Sequence, residues 1–289
     1  MTEMDFPSLF ISADSSSIKA QKKFFIALKI YLFLLVVAAL SSFLFPSSTY
    51  AAIFSAFIFI SSLAILSWIN LAKPQAEWFS SRAIAESVKT MTWRWVTCAE
   101  PYNRSSSIRE VKSKFLNDLA LLLDKDQIIS KALAASPNEG EMITARMIDI
   151  RNSNWQSRLS TYLTHRIDEQ SSWYLAKSKE NKRLSKHWFT ASIVLHLVAI
   201  VLLLFKIGKP ELLTPIGLIS TAASASLSWI QARRYDELNI SYSIAVHEIA
   251  MIREEASSLV KESDFANFVI NSEAAFSREH TKWVARRIC

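Results

Sequence analysis

The chain has 289 residues, 51% hydrophobic and 20% charged, with a net charge of +7. Its three glycines, Gly140, Gly208 and Gly217, stand too far apart for a phosphate-cradling loop or a dinucleotide fingerprint, and a sheet protein with many tight turns would need more of them. Two isolated cysteines, Cys98 and Cys289, exclude a zinc site built from cysteine pairs, so an all-α fold is expected.

Four apolar runs follow in chain order: Phe24–Phe45, Tyr50–Ala72, Trp188–Phe205 and Leu212–Ala232. At ~1.5 Å of rise per residue each is long enough to cross a hydrocarbon core of about 30 Å. Turns at 46–49 and 206–211 are so short that the runs pair as two antiparallel hairpins. The expected architecture is therefore an integral membrane protein with four transmembrane helices and a long-helix cytoplasmic bundle. Lys19, Lys22 and Lys23 precede the first run, and Lys73 and Arg82 follow the second. Lys177, Lys179, Lys182, Arg183 and Lys186 precede the third, and Arg233 and Arg234 follow the fourth. By the positive-inside rule both termini and residues 73–187 lie in the cytoplasm. Lys206 and Lys209 in the second turn are a mild dissent. The basic balance reads as topology signal, and no nucleic-acid partner is expected.

Outside the runs, the stretches Glu141–Ile207 and Leu218–Cys289 hold neither Pro nor Gly and are expected as long helices leaving the membrane. Leu238, Tyr242, Ala245, Ile249, Ile252, Ala256 and Leu259 form a heptad seam. A constant offset of 161 residues maps Ile84, Val88, Met91, Trp95 and Cys98 onto Ala245, Ile249, Ile252, Ala256 and Leu259. It also maps Trp68 onto Trp229 and Lys73 onto Arg234. The chain thus reads as two copies of one unit, a hairpin followed by a coiled helix, divided as 1–135 and 136–289. Further stripes, Ile108/Val111/Phe115/Leu119/Leu122 and Leu159/Leu163/Ile167/Gln170/Tyr174, read as bundle core.

Polar residues inside the runs are the candidates for function. Ser220, Ser224 and Ser228 recur every four residues and share a helix face. Two readings stand: close helix packing through small hydroxyl residues, or a water-lined path formed when subunits assemble. His196 is ionisable at mid-run, hence a pore-facing or pH-sensitive candidate; the competing reading is a neutral ring bonded to a neighbouring hydroxyl. Lys29 reaches toward the headgroups. No catalytic motif, metal-ligand spacing or cofactor fingerprint is found, so neither an enzyme nor a cofactor is expected.

The carboxy-terminal run Ser272-Glu273-Ala274-Ala275-Phe276-Ser277-Arg278-Glu279-His280-Thr281-Lys282-Trp283 is distinctive. So are Gln170-Ser171-Ser172-Trp173-Tyr174 with Lys177, Lys179 and Asn181, and Trp78, Arg82, Ala85-Glu86 and Lys89 with Pro101-Tyr102. Together they resemble the SLATT family of two-transmembrane effector domains, in a tandem form covering nearly the whole chain. The resemblance implies a bacterial conflict-system effector that oligomerises and opens a pore in the inner membrane, killing or arresting the infected cell. It implies a trigger from a nucleotide signal or a separate sensor protein. Its motif residues carry over as structural candidates: Trp78, Arg82, Glu86, Trp173, Glu273, Arg278, Glu279, His280 and Trp283. Arg82 and Glu86 are placed to pair at i,i+4. The alternatives are a membrane-anchored adaptor that recruits a cytosolic partner and a housekeeping ion channel.

Overall fold

The computed structural model describes residues 1–104, 107–124 and 140–288; at residue 3 and residues 278–288 the backbone alone is described. Cys289 lies outside the described residues. The described secondary structure is helical. We number the helices α1 (Ser8–Leu44), α2 (Thr49–Ala72), α3 (Pro74–Thr97), α4 (Ile108–Asp124), α5 (Ala145–Asn152), α6 (Trp155–Tyr162), α7 (Glu169–Gly208), α8 (Ile216–Arg233), α9 (Tyr235–Glu255) and α10 (Glu262–Ile288). A π-helical turn, Leu163–Asp168, joins α6 to α7.

The chain divides into two compact units. Unit 1 takes Met1–Gln21, Gln75–Ala176 and Ser241–Cys289; unit 2 takes Lys22–Pro74 and Lys177–Ile240. Each draws on both sequence halves, so the compact units cut across a division at residue 135. Unit 1 has an apolar, aromatic interior. Trp93, Trp95, Tyr102, Phe115, Tyr162, Phe265 and Phe268 are fully buried, and Trp93 on Tyr162, Tyr102 on Phe115 and Tyr162 on Phe268 pack edge to face. From the two heptad copies, Ile84, Val88, Trp95, Cys98, Ala245, Ile249 and Ala256 are buried.

Unit 2 reverses this pattern. Many of its inward positions are small, Ala38, Ala51, Ser55, Ser62, Ser192, Ala223 and Ser226, beside a few large ones, Phe25, Ile58, Trp229 and Tyr235. Many other large apolar side chains point outward, Phe57, Leu63, Phe189 and Leu204 among them, each more than 60% exposed. A surface of this kind is far larger than the apolar patches that water tolerates. Close packing through small residues inside and apolar bulk outside is what a bilayer selects. Several hydroxyls turn back on their own helices, Ser42 to the Ala38 carbonyl, Ser61 to Phe57, Ser62 to Ile58 and Thr221 to Gly217. That contact satisfies a polar group without water.

Three helical stretches, Ser8–Leu44, Thr49–Thr97 and Trp155–Gly208, are long and apolar enough to cross a membrane. The fourth apolar run forms a shorter element. Leu212 and Leu213 precede the helix, and α8 is 18 residues long, beginning after Pro215. Its hydroxyl side chains dilute its apolar character.

The Pro- and Gly-free stretches are not single helices. Ser153 closes α5, its N–H on the Ile150 carbonyl, and Asn154 starts α6 by accepting the Ser157 N–H at 2.8 Å. Beyond α8 the chain breaks at Arg234 and again at Ala256–Ser258, a 3-10 turn. Polar caps and a backbone reversal stop these helices without Pro or Gly. The reversal is the clearest mark of the duplication. Lys73 closes α2 with φ 46°, ψ 48°, its N–H on the Ile69 carbonyl. Arg234 closes α8 with φ 51°, ψ 45°, its N–H on the Ile230 carbonyl. Both residues and both acceptors are related by the 161-residue offset, and a new helix starts at the next residue each time. Pro74 suits that first position, where no N–H is needed.

A left-handed conformation disfavours a branched Cβ. Lys73→Val and Arg234→Val should each lower stability in detergent by about 1 kcal/mol, whereas Lys73→Gly and Arg234→Gly should not. Thermal unfolding checks this, and the two positions should respond alike.

Candidate functional site

The polar centre of unit 1 grows from one helix face. Along α10, Phe265, Phe268, Val269 and Ser272 are buried at helical spacing. Glu273 continues that face, so its carboxylate is carried into the core, with 0% exposure. There it meets four donors. Arg166 gives Nε to Oε1 at 2.9 Å and a terminal nitrogen to Oε2 at 2.8 Å. The Tyr162 hydroxyl donates to Oε1 at 2.9 Å and the Thr90 hydroxyl to Oε2 at 2.8 Å. The donors come from α3, from the end of α6 and from the π turn. The Phe276 ring covers the Arg166 guanidinium at 4.5 Å.

Burial opposes the charge of Arg166, but Glu273 more than offsets it and holds its pKa above the ordinary arginine value. Burial, and then the Glu273 charge, push the Tyr162 phenol well above its usual range, so it stays protonated and donates. A buried bidentate pair with its remaining acceptor sites filled is a strong positional constraint.

Beside it lies a cavity of roughly 490 Å³, lined by Phe6, Phe10, Asp14, Arg82, Glu86 and Lys89 with residues of α7. Arg82 holds Asp14 at 2.9 Å and Glu86 at 2.5 Å. The i,i+4 partner was readable in the sequence; Asp14, on another helix, was not. Burial works against the Arg82 charge, yet Glu86 and Asp14 together raise its pKa. Lys89 is not paired in this way. Among the described residues no carboxylate lies at ion-pair distance from its ammonium, which stands 6.0 Å from the centre of the Phe10 ring. Burial lowers its pKa, Arg166 lowers it further, and Glu86 opposes in part.

Two more buried arginines escaped the sequence reading. Arg151 donates to the carbonyls of Trp95, Tyr102 and Asn103, and stacks 4.9 Å from the Trp95 ring centre. Arg158 donates to the Thr97 carbonyl at 2.7 Å and pairs with Glu262. Both cations meet the carbonyl end of α3, where the helix dipole is negative. The stripe expected there, Leu159, Leu163 and Ile167, leaves Leu159 and Leu163 half-buried, while Arg158, Tyr162 and Arg166 are fully inside. The π turn adds a residue to the helical repeat and changes which side chains face inward.

The other sequence candidates are spread over the fold. Trp78 is buried against Phe79, ring centres 4.7 Å apart. Trp173 is 41% exposed and packs on Tyr174 and Tyr242. The side chains of Arg278, Glu279, His280 and Trp283 lie outside the described residues. In unit 2, Ser220, Ser224 and Ser228 are all exposed along α8, whose packed face is Ala223, Ser226 and Trp229. Unlike Thr221, their hydroxyls make no hydrogen bond among the described residues. His196 is exposed, and its Nδ1 lies 2.7 Å from the Ser192 carbonyl rather than a hydroxyl. A carbonyl only accepts, so Nδ1 carries the proton of the neutral ring.

Residues 7–159 match SMODS and SLOG-associating 2TM effector domain 3, and residues 162–283 match SMODS and SLOG-associating 2TM effector domain 1. The chain belongs to the SLATT family. It carries two SLATT domains in tandem, and the border between the matches falls at residues 160–161. No curated protein and no solved structure matches it. As a SLATT protein it is a membrane effector, and the exposed apolar surface of unit 2 fits that class.

Removing one partner of the central pair leaves the other buried and uncompensated. Arg166→Met or Glu273→Leu alone should cost about 3–5 kcal/mol, and the double variant Arg166→Met/Glu273→Leu should recover a large part. A double-mutant cycle of unfolding in detergent checks this. Lys89→Met should raise the unfolding temperature, because it removes a buried cation without a carboxylate. The folded pKa of Lys89 lies below the unfolded one, so the unfolded chain holds that proton more tightly and stability rises with pH in the interval. The advantage of Lys89→Met should therefore be largest near neutral pH and shrink towards the ordinary lysine pKa.

Proposed function

We propose that this SLATT protein is an effector of a bacterial conflict system that oligomerises in the inner membrane and opens a pore when triggered. In this reading four helices span the bilayer, with both termini and unit 1 on the cytoplasmic side. The observation that carries it is the Ser220/Ser224/Ser228 face. It is exposed, unbonded and opposite the packed side of α8. Hydroxyls left pointing into hydrocarbon are unsatisfied, which favours either water or a second subunit against them. A single chain has too little wall to enclose a channel, so several copies are needed. Unit 1 then receives the trigger, a nucleotide signal or a sensor protein, and its cavity beside Lys89 and Arg82 is the part of the cytoplasmic bundle best shaped to respond.

An adaptor role is the second reading, favoured by the exposed surface of unit 1; it requires normal membrane potential after triggering. In cells expressing the protein with its trigger, depolarisation of the inner membrane is expected. Ser220→Leu/Ser224→Leu/Ser228→Leu should abolish it while membrane insertion is kept, as read by a potential-sensitive dye and by membrane fractionation. Undiminished depolarisation in that variant would remove the serine face from the pathway. An unchanged potential in the wild type would favour the adaptor.

A further inference from the structure

Unit 2 holds a second cluster of charges to which the effector reading gives no role. Lys29 of α1 places its ammonium 5.2 Å from the centre of the Trp229 ring. Arg233, at the end of α8, places its guanidinium 4.4 Å from Phe25, 5.7 Å from the same Trp229 and 5.3 Å from Tyr235. Its Nε donates to the Tyr235 hydroxyl at 3.2 Å. One indole therefore carries two cations. Trp229 is itself fixed between Phe25 at 5.8 Å and Trp188 at 6.2 Å.

Among the described residues neither cation meets a carboxylate at ion-pair distance. The two nearest acids in sequence are engaged elsewhere: Asp236 accepts from Ser185 at 2.6 Å, and Glu237 pairs with Arg234 at 3.5 Å. The Nε1 of Trp229 is a buried donor with no acceptor. Two like charges on one ring, with no carboxylate on either and an unfilled donor on the same indole, favour an anion at the edge of a bilayer.

We propose that Lys29, Trp229 and Arg233 seat the phosphodiester of an anionic phospholipid headgroup. A guanidinium presents a planar fork that matches phosphate oxygens, and an ammonium adds a point charge beside it. The aromatic rings hold Arg233 in place before the lipid arrives, which reduces the ordering cost of binding. The same chemistry would take a free phosphate, but the surroundings favour a lipid. Ile30 and Phe33 continue from Lys29 along α1, exposed by 46% and 66%, as a track for acyl chains. The inference rests on the membrane-spanning reading of α1 and α8, which puts this cluster at headgroup depth.

The test uses the full-length protein in a neutral detergent, with thermal unfolding followed on addition of phosphatidylglycerol, phosphatidylcholine or glycerol 3-phosphate. Phosphatidylglycerol should raise the midpoint by several degrees, and the other two should not. Lys29→Gln/Arg233→Gln should lose most of that shift, and Arg233→Lys, which keeps the charge without the fork, should lose part of it. Lys182→Gln/Lys186→Gln, an equal charge loss at exposed positions, should keep it. Equal responses in the wild type and Lys29→Gln/Arg233→Gln, or equal losses in the control pair, would overturn the seat. Stabilisation by glycerol 3-phosphate as large as that by phosphatidylglycerol would overturn the lipid as its occupant. Native mass spectrometry of the wild type gives a reading free of variants: a phosphatidylglycerol adduct should outlast phosphatidylcholine under activation, and equal loss of both counts against the seat. Release of the wild type from membranes by carbonate would instead strike the membrane reading, whatever the headgroup response.

Discussion

Glu273 has to be where it is with four donors around it, and this constraint organises unit 1. A carboxylate with no exposure is tolerable only when its lone pairs are filled. Arg166, Tyr162 and Thr90 fill them, and they arrive from three parts of the chain more than 70 residues apart at the extremes. The aromatic core packs around this centre, with Tyr162 touching Trp93, Phe265 and Phe268 edge-on. Apolar burial gives unit 1 its stability, while the ion pair fixes the rotation of α10 against the helices that face it. An apolar core alone tolerates many such rotations; a bidentate contact with two further hydroxyls tolerates few.

The same rule, that every polar group needs an answer, separates the parts of unit 2. Several of its hydroxyls answer themselves by bonding to the carbonyl one turn back. Ser178 and Ser185 answer across helices, to Asn239 and Asp236. Among those left over are the buried hydroxyls of Ser55, Thr214 and Ser226, the outer face of α8 and the cation cluster on Trp229. The last two are where a membrane protein meets something outside its own fold, whether water, a lipid or another subunit.

Much of this was legible in the residues. Apolar runs and short turns gave the hairpins, heptad spacing gave the inward faces of α3 and α9, and i,i+4 spacing gave the Arg82–Glu86 contact. The Lys73–Arg234 correspondence was visible as a pair of basic flanks, but their backbone role was not, because nothing in a lysine or arginine announces a left-handed cap. Arg158 and Arg166 were missed for a different reason. An even 3.6-residue period points to Leu159 and Leu163 as the core, and a π turn breaks that period without a sequence marker. Glu273 stood out by its family motif, yet its partners Arg166 and Thr90 are distant in the chain and no local pattern connects them. The fourth apolar run was clear as a run, whereas its late helical start at Ile216 depended on Pro215 and the turn before it.

The shared reversal at Lys73 and Arg234 lets the two hairpins be laid over one another residue by residue. On that overlay Ser220, Ser224 and Ser228 fall on Phe59, Leu63 and Ser67, and the first two of those are 57% and 63% exposed. At those two positions the copies have diverged, greasy in the first hairpin and hydroxylated in the second, while the third keeps serine in both. Each chain therefore carries two hairpins whose corresponding outward positions differ in chemistry, which two copies of one lone hairpin would not.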